Sequence, residues 1–338
     1  MQAWILEEQD QIEKKPLKLV DLPDRQPEAS QIQIKVLFCG ICRTDIHIVE
    51  GDLPLKKSPT ILGHEVVGVV EKVAENASRF QVGDKVGVTW LNSTCRKCNH
   101  CLAGKENYCE SFKATGWDQD GGFAEYLIIS EEFAVSLTGL SLELSEIPPL
   151  LCPGVAGYAA YQLAEVQKGD KLGLIGFGPT ANCVLKIAQS QGLESYVSTR
   201  SNRNVHRAIQ QGATWVGNMA EIPFPCKLDA AIIFPPAGNL VESVLANVAE
   251  GGTVVLAPVS SSKITIEDYS NNFWGRNLKT LYHVNKSDIE DFITIVRQLG
   301  HEMRQSVRIF PFEGLQEALI LVKNGKLDTP NAVIQVSH

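Results

Sequence analysis

The chain has 338 residues, of which 44% are hydrophobic and 21% charged, and a formal net charge of -8. Its length suits two domains of about 100 to 200 residues each, and its composition excludes disorder, a collagen-like repeat and a disulfide miniprotein. The acidic balance opposes a nucleic-acid backbone, no apolar run reaches the ~18 residues of a membrane span, and Met1 to Asp10 does not read as a signal peptide. The expectation is a cytoplasmic protein that acts on small molecules and binds neither nucleic acid nor membrane.

In chain order, QIQIKV at 31–36, EVVGVVEKV at 65–73, VGDKVGV at 82–88 and FAEYLII at 123–129 are short β-branched runs punctuated by glycine, which predicts an all-β region of hairpins. From Lys171 the rhythm becomes strand, turn, helix. LGLI is followed by a helix over Thr180–Gln191, YVST by a helix near Asn204–Gln211, and AAIIF by a helix near Leu240–Ala249 and the strand TVVLA. This alternation predicts a doubly wound parallel sheet. After LKTLYHV come a helix over Asp288–Leu299, the strand VRIF, a helix over Leu315–Lys323 ended by Gly325, and the strand AVIQV.

The segment LGLIGFGPTANCVLKIA sets Gly176, Gly178 and Ala181 at the G-x-G-x-x-G/A positions, after a strand and at the mouth of a helix. Such a turn lets the backbone approach a pyrophosphate and lets helix and strand pack closely. An acidic residue about twenty positions on would hold the adenosine ribose of NAD through its 2′-hydroxyl. Here the second strand ends in Thr199, Arg200, Ser201, Asn202 and Arg203, with no carboxylate. Guanidinium and hydroxyl groups at that point favour the 2′-phosphate of NADP over a solvated loop.

Of nine cysteines, four fall at Cys95, Cys98, Cys101 and Cys109, a C-x2-C-x2-C-x7-C spacing suited to tetrahedral zinc with no open position. A nucleic-acid-binding zinc ribbon is the competing reading, but only Arg96, Lys97 and Lys105 are basic nearby. A structural staple is therefore expected. Cys39, Cys183 and Cys226 read as buried and inert.

The strings GICRTDIH at 40–47 and GHEVVGVV at 63–70, the four-cysteine loop, GGFAEY at 121–126 and the glycine turn occur in one order. That order resembles the zinc-containing alcohol dehydrogenases of the medium-chain dehydrogenase/reductase superfamily, over roughly residues 30 to 338. The resemblance implies a GroES-like β-rich catalytic domain in two pieces, 1–152 and 286–338, around a Rossmann nucleotide-binding domain at 153–285. It implies catalytic zinc ligands at Cys42, His64 and Cys152, Glu65 as a carboxylate that approaches the metal, and Asp45 orienting His64. It implies Arg43 on the cofactor pyrophosphate and a proton relay through Thr44 and His47. Two zinc ions per chain, NADP in preference to NAD, an alcohol or aldehyde substrate and a homo-oligomer follow as expectations. Asn331 stands where some members have a basic cofactor contact, and Leu53 where many have an aromatic in the substrate loop; with Trp90, Leu53 suggests a hydrophobic slot for medium aliphatic or aromatic primary substrates. The zinc-free quinone oxidoreductases of the same superfamily and a catalytically inactive relative are the alternatives, and the intact ligand set argues against both.

Overall fold

The computed structural model describes residues 1–337. The chain forms two compact units, one from Met1–Cys152 with Asn285–His338 and the other from Pro153–Val284. Among the described residues no helix is long and apolar enough to cross a membrane.

The first unit begins with β1 (Gln2–Leu6), β2 (Leu17–Asp21), β3 (Gln31–Gly40), α1 (Arg43–Glu50), β4 (Thr60–Ile61), β5 (Glu65–Val73) and β6 (Lys85–Val88). It continues through β7 (Leu91–Ser93), α2 (Asn99–Leu102), β8 (Lys113–Ala114), β9 (Tyr126–Ser130) and β10 (Ala134–Ser136). Alternation along β3 and β5 buries Ile32, Ile34, Val36, Val66 and Val70 in the β-rich core. The expectation of simple hairpins needs correction, because β3 and β5 pair antiparallel but are joined through α1 and β4. The strand expected at 82–88 starts only at Lys85. The Gln81 amide donates to the Asp84 carboxylate at 2.9 Å and makes 82–84 a turn with Val82 exposed. Likewise Phe123–Glu125 cross to β1, where Phe123 accepts from the Trp4 amide at 2.9 Å, before β9 begins.

The second unit runs α3 (Pro153–Ala164), β11 (Lys171–Ile175), α4 (Pro179–Ser190), β12 (Glu194–Ser198), α5 (Asn202–Gln210) and β13 (Trp215–Gly217). It ends with β14 (Leu228–Ile233), α6 (Val241–Asn247), β15 (Val248–Leu256) and β16 (Asn277–Thr280). All six strands are parallel, in the order β13-β12-β11-β14-β15-β16. Read from the first strand outward this is 3-2-1-4-5-6, the doubly wound order that leaves a crevice at the carboxyl ends of β11 and β14. Its strands are apolar on both faces because helices cover both; Ile175, Ile233, Val244 and Val254 belong to one buried cluster.

The chain then adds α7 (Lys286–Leu299), β17 (Val307–Pro311), α8 (Leu315–Lys323) and β18 (Asn331–Gln335) to the first unit. Asn285 caps α7, its amide donating to the Asp288 carboxylate at 2.8 Å. β18 pairs antiparallel with β3, setting Val333 opposite Gly40, and β17 lies parallel beside β18. The sheet order β10-β6-β5-β3-β18-β17 thus closes a sequence-distant segment onto the strand that leads into α1.

Candidate active site

Helix α1 follows β3 after one short step, and its N-terminus is built by a carboxylate. The Cys42 amide donates to Asp45 Oδ2 at 2.9 Å, satisfying a donor that the helix would otherwise leave orphaned. The helix buries Asp45, Ile46, Ile48 and Val49 and ends at Gly51, whose φ of 89° is the left-handed conformation glycine adopts without strain. Asp45 Oδ1 accepts from the Gly63 amide at 3.2 Å and lies 3.3 Å from His64 Nδ1, both partners fully buried. One carboxylate therefore ties the start of α1 to the entry of β5.

Cys42, His64, Glu65 and Cys152 each turn one donor atom into a common space, all within 4.8 Å of one another. Cys42 Sγ and Cys152 Sγ lie 3.8 Å apart; this contact holds Cys42 well below the ordinary thiol range against the opposing effect of burial, with His64 adding to it. The same contact and burial push Cys152 well up. Burial alone would lower His64, but the charge of Asp45 and contacts with Asp45 and Cys42 outweigh it and raise the imidazole well above its usual value. Glu65 is raised by burial and then by the Cys42 charge. Neither ring nitrogen of His64 has a hydrogen bond of good geometry, in spite of complete burial. A fully buried imidazole among two sulfurs and two carboxylates, held by Asp45 only at 3.3 Å, is a poor protein interior and suits a zinc shell with Cys42, His64 and Cys152 as strong ligands.

Cys95, Cys98, Cys101 and Cys109 form a second convergence of four sulfurs. Cys98 and Cys101 lie 3.6 Å apart, Cys95 and Cys101 3.9 Å. Amides of Cys98 and Cys95 donate to Cys95 Sγ and Cys109 Sγ at 3.3 and 3.4 Å, and amide donation brings Cys95 down to about 6. Four sulfurs fit a closed zinc site. The loop is tied to α7 by the Asn107 amide, which donates to Asn285 Oδ1 at 3.2 Å.

The other residues singled out in the first unit fall near the three-ligand space or elsewhere in plain ways. Thr44 Oγ1 is 3.6 Å from Cys42 Sγ. His47, one turn on, bonds through Nδ1 to Asp52 Oδ2 at 2.7 Å, a partner the sequence reading missed. Arg43 is exposed and donates to the Lys323 carbonyl at 3.4 Å. Asn331 is buried and donates to the Ser306 carbonyl at 3.0 Å, so its amide joins two chain segments. Leu53 is half-buried. Trp90 meets His64 edge-on at 5.0 Å and stacks on Trp117 at 5.8 Å. Trp117, whose indole donates to the Pro54 carbonyl at 2.9 Å, also escaped the sequence reading. Cys39 and Cys183 are buried, as read, but Cys226 is only half-buried at the edge of the second unit's core.

In the second unit Gly176 has a φ of 86° and its amide donates to the Ser198 carbonyl at 2.7 Å, joining the turn to the end of β12. Gly178 caps α4, Pro179 occupies its first position, and Ala181 is buried. Thr199 is buried, its hydroxyl accepting from the Ser201 amide at 3.4 Å, and Ser201 caps α5 by accepting from Asn204 at 3.4 Å. Arg200 and Arg203 are exposed. Arg207, one turn beyond Arg203 and overlooked in the sequence, is half-buried, and desolvation followed by the Arg203 charge lowers it.

Comparison with known proteins accords with this geometry. Residues 28–139 match the family described as the alcohol dehydrogenase GroES-like domain. A probable alcohol dehydrogenase of Mycobacterium tuberculosis is 35% identical over 333 residues, covering 97% of this chain and 95% of that protein. An alcohol dehydrogenase of Geobacillus stearothermophilus is 28% identical over 323 residues, covering 93% of this chain and 94% of the other. Among solved structures, a cinnamyl alcohol dehydrogenase from Sorghum bicolor superposes with a TM-score of 0.86 at 27% identity, over 99% of this chain and 97% of that one. The chain belongs to the zinc-containing alcohol dehydrogenases of the medium-chain dehydrogenase/reductase superfamily and is a zinc-dependent, NAD(P)-dependent enzyme of that family.

Proposed function

We propose that the protein transfers hydride between NADP(H) and a primary alcohol/aldehyde pair, medium-chain aliphatic or aromatic. In this reading residues 1–152 and 286–338 carry the catalytic machinery, and 153–285 hold the dinucleotide. The observation that carries it is the convergence of Cys42, His64 and Cys152, with Glu65 beside them, in a buried space. When bound, zinc supplies Lewis acidity toward the substrate oxygen and the nicotinamide supplies or accepts hydride.

The chain's own groups do the rest. Cys42, His64 and Cys152 would hold the catalytic zinc, Asp45 fixes the His64 ring through Nδ1, and Cys95, Cys98, Cys101 and Cys109 would hold the structural one. Thr44 Oγ1 is the first station for the substrate hydroxyl proton, and His47, partly exposed and steered by Asp52, is the last before solvent. The stacked Trp90 and Trp117 rings give an apolar wall that suits aryl or longer alkyl chains.

In the nucleotide unit, the amides at the start of α4 would hold a pyrophosphate at the Gly176 turn. Thr199 and Ser201 keep hydroxyl protons to donate to a 2′-phosphate, and Arg200 and Arg203 bring charge to it. Homo-oligomerisation and a cytoplasmic location rest on the resemblance and the composition alone. Initial rates across straight-chain and aryl primary alcohols and aldehydes, with NADP(H) and NAD(H) in parallel, test the proposal. Higher kcat/KM for NAD(H), or turnover undiminished in fully zinc-stripped protein, would refute it.

A further inference from the structure

We propose that Gly40 is a positioning residue for the Glu65 carboxylate, its missing side chain providing the seat in which that carboxylate rests. The inference depends on the reading of Cys42, His64, Glu65 and Cys152 as a metal centre. Gly40 closes β3 and Glu65 opens β5, and the two are direct cross-strand partners. A Cβ at position 40 would fall inside the contact radius of Glu65 Oε2 and lie 2.9 Å from Glu65 Cβ and 3.0 Å from Cδ. The backbone of Gly40 is not in the left-handed region, so freedom of φ is not what the position requires. It requires empty space.

Three surroundings decide where the carboxylate goes if that space is filled. Glu65 is 2% exposed, so solvent is closed to it. The ladder on either side, Cys39 with Val66 and Gly40 with Glu65, holds both backbones in register. The donor atoms of Cys42, His64 and Cys152 lie within 4.8 Å of one of its own oxygens. A methyl at position 40 would therefore press the carboxylate toward these donors and toward a metal that they would hold. Glycine keeps Glu65 close to the metal without making it a permanent ligand.

The test compares cobalt-loaded wild type with Gly40→Ala, Glu65→Gly, which removes the Cβ that an alanine would leave 2.9 Å away, and the double variant, reading the visible cobalt absorption, the rate of cobalt release to a chelator and the thermal midpoint. Gly40→Ala is expected to change the absorption bands and slow release severalfold, and the same substitution in the Glu65→Gly background is expected to change neither. Equal effects in both backgrounds, or none in either, would overturn the proposal, since a general packing defect does not depend on the carboxylate. Should Gly40→Ala fail to fold, recovery of folding in the double variant supports the steric conflict, and failure of both overturns it. A wild-type chain that loads cobalt only in the four-cysteine loop would overturn the metal-centre reading itself, which separates that failure from this one.

Discussion

Asp45 and His64 meet at 3.3 Å in full burial, and the same carboxylate accepts the amides of Cys42 and Gly63. Two segments separated by a helix and a short strand are thereby locked in the geometry that a metal needs before it arrives. Removing the charge while keeping the shape, by Asp45→Asn, leaves the amide bonds with a weaker acceptor and His64 without its orienting anion. Loss of such a partner reduces metal affinity by about 10 to 100-fold. The expected result is one zinc per chain after dialysis against a mild chelator, with the four-cysteine site still loaded. Retention of two zincs under conditions that leave wild type fully loaded would remove Asp45 from this role.

Protons should leave as the catalytic metal enters. Without metal, Cys152 and His64 are both raised and lean toward their protonated forms, whereas Cys42 is lowered. Binding requires thiolate and neutral imidazole, so uptake at this site should release protons, chiefly from Cys152 and His64. The sign follows: the raised groups compete with metal more strongly as pH falls, so affinity drops toward acid and rises toward alkaline pH. Zinc titration in weakly buffered solution with a pH indicator measures the release, and a pH-independent affinity between 6 and 8 would contradict it.

The two cysteine sets should respond differently to loss of one thiol. Cys101→Ser removes a ligand from a loop tied to α7 through Asn107 and Asn285, so its main effect should be a lower thermal midpoint. Cys152→Ser should leave the fold standing and remove turnover. Measuring circular dichroism, zinc content and kcat on both variants decides the matter, and loss of activity through unfolding in both would merge the two roles.

Much of this was legible because glycine and cysteine report their surroundings directly. Gly176 and Ala181 announced the turn after β11, and the parallel sheet followed from strand and helix alternating at regular length. Helix α1 was not legible. Its eight residues, RTDIHIVE, mix polar and apolar side chains without a long stripe, and it exists because Asp45 caps it and Ile46, Ile48 and Val49 find a core. Helix α3 hid for the opposite reason, since Gly154, Val155, Gly157, Ala159 and Ala160 give an apolar run with little polar face. Asp52 and Trp117 were missed because their value lies in a partner distant in the chain or across a loop: His47 for one, Trp90 for the other. The pairing of Gly40 with Glu65 depends on strand register, which no spacing rule gives.

Trp117 offers a direct check on the substrate wall. It stacks on Trp90, which in turn meets His64. A ring-on-ring contact contributes about 0.5 to 1.5 kcal/mol beyond its buried area, so Trp117→Ala should lower kcat/KM for aryl aldehydes by roughly threefold to tenfold relative to short aliphatic ones. Equal losses for both classes would assign Trp117 to packing and leave the wall to Trp90 and Leu53.

The proposed preference for NADP rests on charge at the end of β12. A carboxylate there would accept the ribose hydroxyls of NAD and repel a 2′-phosphate, and this chain has Thr199, Arg200, Ser201 and Arg203 instead. Buried Thr199 accepts a backbone amide and Ser201 caps α5, which fixes both hydroxyls while leaving their protons to donate. A charge-assisted hydrogen bond contributes about 1.5 to 3 kcal/mol, so Arg200→Ile should reduce kcat/KM for NADP by roughly tenfold to a hundredfold and leave NAD nearly unchanged. Adding Thr199→Asp should turn preference toward NAD by repelling one cofactor and holding the other. Because Arg207 sits half-buried one turn from Arg203 and is lowered by desolvation and by that neighbour's charge, an incoming phosphate would relieve like-charge strain as well as gain partners. NADP should therefore raise the thermal midpoint of wild type more than NAD at equal concentration, and an equal or larger shift with NAD would return these arginines to an ordinary solvated surface.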